Sequence, residues 1–393
     1  FMVNGLADFG PDDGLQGFVG GGGGLIGQTH ANGARLSNAW DVVAGALSSD
    51  PDRAQASGRA WQLADDRIYS DFREMARAEA ARPDGIDAVA IVTPNHLHAP
   101  VAHAFMDAGI DIISDKPLTT NMAEAKALLA KQQQSGVIFG LTHVYACHVM
   151  VRQAREMVAR GMIGDIRQIH VEYFQDWALG LQDSAVAADG PWRLDPLRGG
   201  ETFTVGDIGT HAEHLARFVS GLPLTALRAE FHVTGGPKRL EDTAFMMLRF
   251  GDNVPGTLLV SQAMAGSACG LRLRMSGTLA SLEWCAETPE ILQFRPIDAP
   301  MQVLTRGHGA GIFSPAAQLV RMPRGHPEAL TDAWANLYLE LATAIAARRG
   351  TVAPFGAGVV AFATIEDGLR GMAFCQSAVL SHANGLWVRI EGV

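Results

Sequence analysis

The chain has 393 residues, 48% hydrophobic and 18% charged, with a formal net charge of −10 and a pI near 5.7. That length and apolar content suffice for two hydrophobic cores in two domains. The acidic balance, with no basic run, excludes nucleic acid as a partner, and no apolar run reaches the ~18 residues a membrane helix needs.

The first fourteen residues carry neither the basic nor the apolar stretch of a secretory leader, so a cytoplasmic location is expected. Cys147, Cys269, Cys285 and Cys375 lie far apart without a CxxC pair and read as free thiols. His143 to His148 is rich in metal-capable side chains but has no second cluster at zinc spacing, so no metal is expected.

Up to about residue 140, strand-like and helix-like stretches alternate. Leu15 to Val19 is a short apolar run that breaks into glycines, and Gln28 to Leu36 follows as a helix. Trp40 to Leu47 reads as a buried strand and Asp71 to Ala81 as a helix. Ile86 to Thr93 is a strand halted by Pro94, and Pro100 to Ala108 a helix closed by Gly109. Then come the strand Ile110 to Ser114, the helix Met122 to Gln133 and the strand Val137 to Leu141. Repeated β-α-β units with short joints predict a parallel sheet wrapped by helices.

Beyond residue 148 the texture changes. A helix at 149–160 precedes strands at 166–174, 227–233, 243–250, 257–263, 271–276 and 281–284, and helices at 330–348 and 364–381 close the chain. Successive strands without intervening helices predict an open, mostly antiparallel sheet. The expected division is a doubly wound Rossmann domain over 1–146 and an α/β domain over 147–393, whose last helices pack back on the first.

Four segments carry chemistry. Gly22-Gly23-Gly24-Leu25-Ile26-Gly27 satisfies G-x-G-x-x-G between a strand and a helix, the arrangement that brings backbone N–H groups onto a pyrophosphate. Five consecutive glycines would equally serve as a plain connector. The second strand ends at Ser48, where an acid would hold the ribose of NAD, with Arg53 a turn later. The missing acid tilts the expectation slightly from NAD toward NADP, although Asp50 stands close enough to serve either the ribose or a helix cap.

Asp115-Lys116-Pro117 lies at the carboxyl end of a strand, where ligands of open sheets bind. An ammonium there stabilises charge developing on a substrate oxygen. An ordinary surface lysine in a loop gives the same pattern, and the X-Pro bond has the option of being cis. In Gly206-Asp207-Ile208-Gly209-Thr210-His211 the acid and imidazole are four apart and would share a helical face. A carboxylate there fixes the tautomer of a base, unless Asp207 merely caps the helix and the histidine is structural.

In this order, these motifs resemble the Gfo/Idh/MocA oxidoreductases over nearly the whole chain, together with Thr93-Pro94-Asn95-His96 and Glu366-Asp367-Gly368-Leu369-Arg370. The resemblance implies an NAD(P)-dependent oxidation of a sugar or polyol hydroxyl. His211 would take the proton, Lys116 polarise the oxygen and Asp207 orient the pair. It also implies cofactor contacts from Gly22, Gly24, Leu25, Ile26, Gly27, Ser48, Arg53, Thr93, Pro94, Asn95, His98, Asp115 and Lys116.

Tyr145, Trp177, Trp192 and Arg193 would border the substrate, since aromatic faces suit a pyranose and guanidinium suits hydroxyl or carboxylate. Asp115 replaces the family's commoner Glu. An exposed sheet face would make a homodimer or homotetramer. Relatives that keep the dinucleotide bound for internal redox, and a non-catalytic sensor on the same fold, remain the alternatives.

Overall fold

The computed structural model describes residues 15–16, 25–182, 192–307, 311–351 and 360–390. In the first domain β1 (Leu15–Gln16) pairs in parallel with β2 (Trp40–Asp41), and α1 (Leu25–Ser37) lies between them in sequence. After α2 (Pro51–Ala60) and α3 (Phe72–Ala81) comes β3 (Ala88–Ile91), then α4 (His98–Asp107), β4 (Asp111–Ser114), α5 (Met122–Ser135) and β5 (Phe139–Leu141). β3, β4 and β5 are parallel neighbours.

All residues of these three strands are buried, Val89 and Ile112 completely, because helices cover both faces. Each such aliphatic side chain contributes about 1.5–3 kcal/mol by leaving water. The helices begin where the sequence signals them: Asp71 accepts the Arg73 and Glu74 N–H groups, and Asn121 that of Glu124.

The expected strand over 40–47 is shorter. Only Trp40–Asp41 pairs with β1; farther along, Gly45 accepts from Tyr69 N and donates to Arg67 O in an isolated bridge. Its neighbour there is the irregular 65–69 segment, which offers no continuous ladder.

The second domain opens with α6 (Val149–Ala159) and β6 (Ile166–Phe174). The short α7 (Pro196–Gly199) and a π-helical turn over Val205–Gly209 lead into α8 (Thr210–Ser220). β7 (Leu224–His232), β8 (Thr243–Phe250), β9 (Val254–Ser261), β10 (Gly270–Gly277), β11 (Ala280–Cys285), β12 (Ile291–Pro296) and β13 (Gln302–Thr305) follow. Then come α9 (Ser314–Ala317), α10 (Leu330–Arg349), β14 (Ala363–Thr364), α11 (Ile365–Asn384) and β15 (Val388–Arg389).

Among the described residues the sheet has nine strands in the order β13-β12-β11-β10-β6-β9-β8-β7-β15, antiparallel except for β6 against β9. β12, β13 and β15 were not foreseen. β8 alternates buried Met246 and Leu248 with exposed Phe245 and Met247, the mark of one covered and one open face.

The tail returns to the first domain. β14 pairs antiparallel with β5 and so extends the Rossmann sheet, which the sequence did not announce. α10 lies against α1, where a Cβ on Gly33 would come within 2.7 Å of Trp334 Cβ; only glycine permits that approach. Trp40 Nε1 donates to Tyr338 O at 2.8 Å across the same seam. Among the described residues no helix is long and apolar enough to cross a membrane.

Candidate functional site

A cleft of about 860 Å³ opens between the two domains, bounded by the start of α1, the carboxyl ends of β3 and β4, and the start of α8. Ile26, Gly27, Thr93, Pro94, Asn95, His98, Asp115 and Lys116 line one side of it. Tyr145, Trp177, Trp192, Arg193, Asp207 and His211 line the other. Residues separated by up to 185 positions thus meet as the motifs foretold. Leu25 opens α1, and Gly22 and Gly24 lie outside the described residues.

Ser48 and Arg53 are placed differently. Neither borders the cleft: Ser48 Oγ accepts from Asp50 N, and the Asp50 carboxylate accepts Arg53 N as the cap of α2.

At the centre Lys116 Nζ donates to Asp207 Oδ1 and to the Asp207 carbonyl, both at 2.6 Å. The Lys116-Pro117 bond is cis. Burial pushes the Asp207 carboxyl up, but Lys116, Arg193 and the bonds from Lys116 and Gln262 outweigh it and hold it at about 2.

Asp207 was expected to face His211, and its carboxylate instead binds Lys116 and Gln262. The physical reason is the π-turn over Val205–Gly209: wider than an α-turn, it rotates residues four apart out of register. The capping role weighed for Asp207 is absent too, since α8 begins without a side-chain cap.

His211 borders the cleft, and its Nδ1 is buried with no hydrogen-bond partner among the described residues. Its ring packs edge-to-face with His143 and Tyr145 at centroid distances of 5.3 and 5.1 Å. Burial, then Lys116 and His143, keep the imidazole well below its ordinary value and therefore neutral. His143 stacks on His214 at 4.2 Å and is itself held at about 3, chiefly by burial.

Gln262, Glu241 and Tyr173 carried no signal in the sequence. Gln262, fully buried after β9, donates through Nε2 to Asp207 Oδ2 at 2.7 Å and to Gln175 Oε1 at 3.1 Å, while its Oε1 accepts from Thr204 Oγ1 at 2.9 Å. Glu241, also buried, accepts the Phe203 and Val205 N–H groups that open the π-turn. Burial raises its carboxyl to about 7 against the pull of those N–H bonds. Tyr145 and Tyr173 hydroxyls lie 2.6 Å apart, each within 3.4 Å of Cys269 Sγ, and form a polar floor.

On the other wall Asp115 Oδ1 lies 3.1 Å from His30 Nε2 on α1 and accepts from Thr142 Oγ1 at 2.6 Å. Burial raises its carboxyl, but His30 and Thr142 more than reverse that and keep it ionised. His98 spends both ring nitrogens on backbone, 2.8 Å from Pro117 O and 3.0 Å from Thr93 O. It ties two turns of the wall together rather than reaching inward.

The cleft suits a dinucleotide. The start of α1 lies in its wall, and Thr93 Oγ1 is buried there with no hydrogen-bond partner among the described residues.

Comparison with known proteins agrees. Residues 16–143 match the oxidoreductase family model described as an NAD-binding Rossmann fold, and residues 151–283 match the GFO/IDH/MocA C-terminal domain. The chain is 32% identical over 374 residues to the uncharacterized oxidoreductase YfiI of Bacillus subtilis (strain 168), covering 93% of this chain and 94% of that one. The crystal structure of an oxidoreductase from Sinorhizobium meliloti is 42% identical, covers 95% of this chain and 99% of its own, and superposes with a TM-score of 0.85. An inositol dehydrogenase homolog from Azotobacter vinelandii, solved with NADH and myo-inositol, is 32% identical over 96% of this chain and 98% of its own, with a TM-score of 0.86. The chain belongs to the GFO/IDH/MocA oxidoreductase family, whose NAD-binding fold and action on CH–OH groups it shares.

Proposed function

We propose that the protein oxidises a secondary hydroxyl of a sugar or cyclitol, with His211 as the base, Lys116 as the group that polarises the oxygen, and Asp207 as the anchor of Lys116. The observation that carries this reading is the Lys116–Asp207 pair beside a neutral His211 in the cleft. Ile26, Gly27, Thr93, Pro94, Asn95 and Asp115 would hold the dinucleotide. A bound nicotinamide supplies the acceptor for the substrate hydride.

The protein's own groups handle the proton. An ammonium has three donors; two of those on Lys116 go to Asp207, which leaves one for the substrate oxygen. Asp207 keeps the ammonium charged and fixes its direction. His211, neutral through burial, accepts the hydroxyl proton while Lys116 stabilises the negative charge that builds on the oxygen. The cyclitol bound to the Azotobacter vinelandii relative and the aromatic lining of Tyr145, Trp177 and Trp192 support a ring-shaped polyol as substrate.

The test is reduction of NAD+ or NADP+, followed by near-ultraviolet absorbance, on a panel of sugars, anhydrosugars, glycosides and inositols. Net reduction with a few of them is expected, and it separates a dehydrogenase from internal redox. Lys116→Ala and His211→Ala should each lower turnover by orders of magnitude at nearly unchanged dinucleotide affinity. Wild-type turnover in both variants would refute the assignment.

A further inference from the structure

Three of the four charged side chains described along the cleft have close partners. Lys116 is neutralised by Asp207, and Asp115 is engaged by His30 and Thr142. Arg193 is the fourth: it lines the cleft, makes no ion pair or hydrogen bond with any described residue, and acts on Asp207 through space. Its guanidinium is nevertheless held in place. It lies 4.5 Å from the Trp192 ring centroid and 6.0 Å from that of Trp177.

Those rings are anchored in turn. The Trp177 indole donates to Gln175 Oε1 at 3.1 Å and packs edge-on against Phe203. The Trp192–Leu194 turn sits on α7, where a Cβ at Gly199 would come within 2.9 Å of Arg193 O. A guanidinium stacked on aromatic rings is oriented while its five N–H donors stay free. A cation placed this way among aromatic walls, with its donors bound to no described residue, is suited to an anionic group carried in by a ligand.

Its place decides which ligand. Trp177, Phe203 and Asp207 belong to the second domain, across the cleft from the start of α1. We infer that Arg193 and its two tryptophans form a subsite for an anionic oxygen group, so that the substrate is an acidic sugar or cyclitol carrying a carboxylate or a phosphate. This rests on the oxidation assigned above. The indole faces cover the ring's C–H surface, and Arg193 binds the anionic group at the end away from the oxidised carbon.

The experiment pairs D-glucose with D-glucuronate and with D-glucose 6-phosphate, and D-galactose with D-galacturonate, using wild type, Arg193→Met and Arg193→Lys. Arg193→Met keeps most of the stacked stem and removes the charge; Arg193→Lys keeps the charge and removes the fork. A charge-assisted bond of this kind is worth a factor of ~10–150 in kcat/KM. The expected result is that preference for the uronate or the phosphate, lost in Arg193→Met and partly kept in Arg193→Lys, with the neutral parents losing less than the charged compounds. The carboxylate and phosphate arms tell the two anions apart.

Calorimetric binding of the same compounds to the protein with NAD+ reads the subsite without turnover. Arg193-dependent anion binding with no oxidation of any compound would overturn the functional reading and leave the subsite standing. Equal or better handling of the neutral parents, or an Arg193→Met loss confined to dinucleotide affinity, would overturn the inference.

Discussion

Replacing Gln262 by Leu tests whether the Asp207 carboxylate is positioned by the second domain. The substitution preserves size and burial and removes three bonds at once: to Asp207 Oδ2, Gln175 Oε1 and Thr204 Oγ1. The bond to the ionised carboxylate is the strong one, worth about 1.5–3 kcal/mol, and its loss lets Asp207 and the attached Lys116 ammonium turn away from the substrate oxygen. That energy corresponds to a fall in kcat/KM of ~10–150-fold. Stranding the buried Thr204 hydroxyl adds about 1–3 kcal/mol of destabilisation. Steady-state kinetics with the best substrate measures the first effect and denaturant unfolding the second. Gln262→Glu sharpens the test: a second carboxylate beside Asp207 raises its pKa and competes for Lys116, so its loss of activity should be largest at high pH. If Gln262→Leu keeps kcat/KM within about threefold of wild type, Gln262 does not position Asp207 and the argument fails.

A pH profile of kcat/KM reports the state of His211. Its pKa is depressed in the folded protein, so the base is neutral through the ordinary imidazole value of 6.5 and activity should fall only at lower pH; an acid limb at or above 6.5 would contradict this. Folding stability has the same sign. His143, His211 and His214 are held neutral by burial, the unfolded chain takes up protons below 6.5, and stability should decline as pH falls through that value, measurable by thermal unfolding. Gly199→Ala forces the Arg193 carbonyl to move, since the new Cβ would lie 2.9 Å from it. KM for the substrate should rise severalfold with dinucleotide affinity unchanged in a fluorescence titration. Asp115→Asn removes the charge facing His30 and weakens the tie between α1 and β4. Weaker dinucleotide binding and a lower melting temperature are expected, and wild-type values of both would refute the role.

The sequence showed what repeats or clusters. The alternation of the first 140 residues, the mostly antiparallel second sheet and the positions of Lys116, Asp207 and His211 all rest on local patterns, and the cleft unites those residues. Gln262, Glu241 and His143 could not be read this way. None of them belongs to a motif that carries this chemistry, and the importance of each lies in partners far away in sequence, such as Gln262 with Asp207. The spacing of Asp207 and His211 misled for a local reason: the face-sharing rule assumes α geometry, and the π-turn changes the count. Ser48 and Arg53 were inferred from their distance along the chain, whereas the hydrogen bonds of the turn commit Ser48 and Asp50 to opening α2. β14 has only two residues, too few for any periodicity.

Lys116 belongs to the first domain and Asp207 to the second, so the pair exists only where the two are docked. The docking is secured independently of the pair. Asn95 Nδ2 donates to Gly199 O at 2.8 Å, joining the β3 edge to α7 beneath Arg193. Tyr338 on α10 lies 2.8 Å from His30 Nδ1, and His30 in turn reaches Asp115, the residue before the lysine. Two separate sets of contacts thus cross the junction. Removing one should tilt the lysine relative to Asp207 before it separates the domains, because the remaining contacts still hold the seam. The ammonium–carboxylate geometry is short and directional, and a small tilt costs it more than it costs the apolar packing around it. Activity is therefore the more sensitive reporter of this junction, and stability the blunter one.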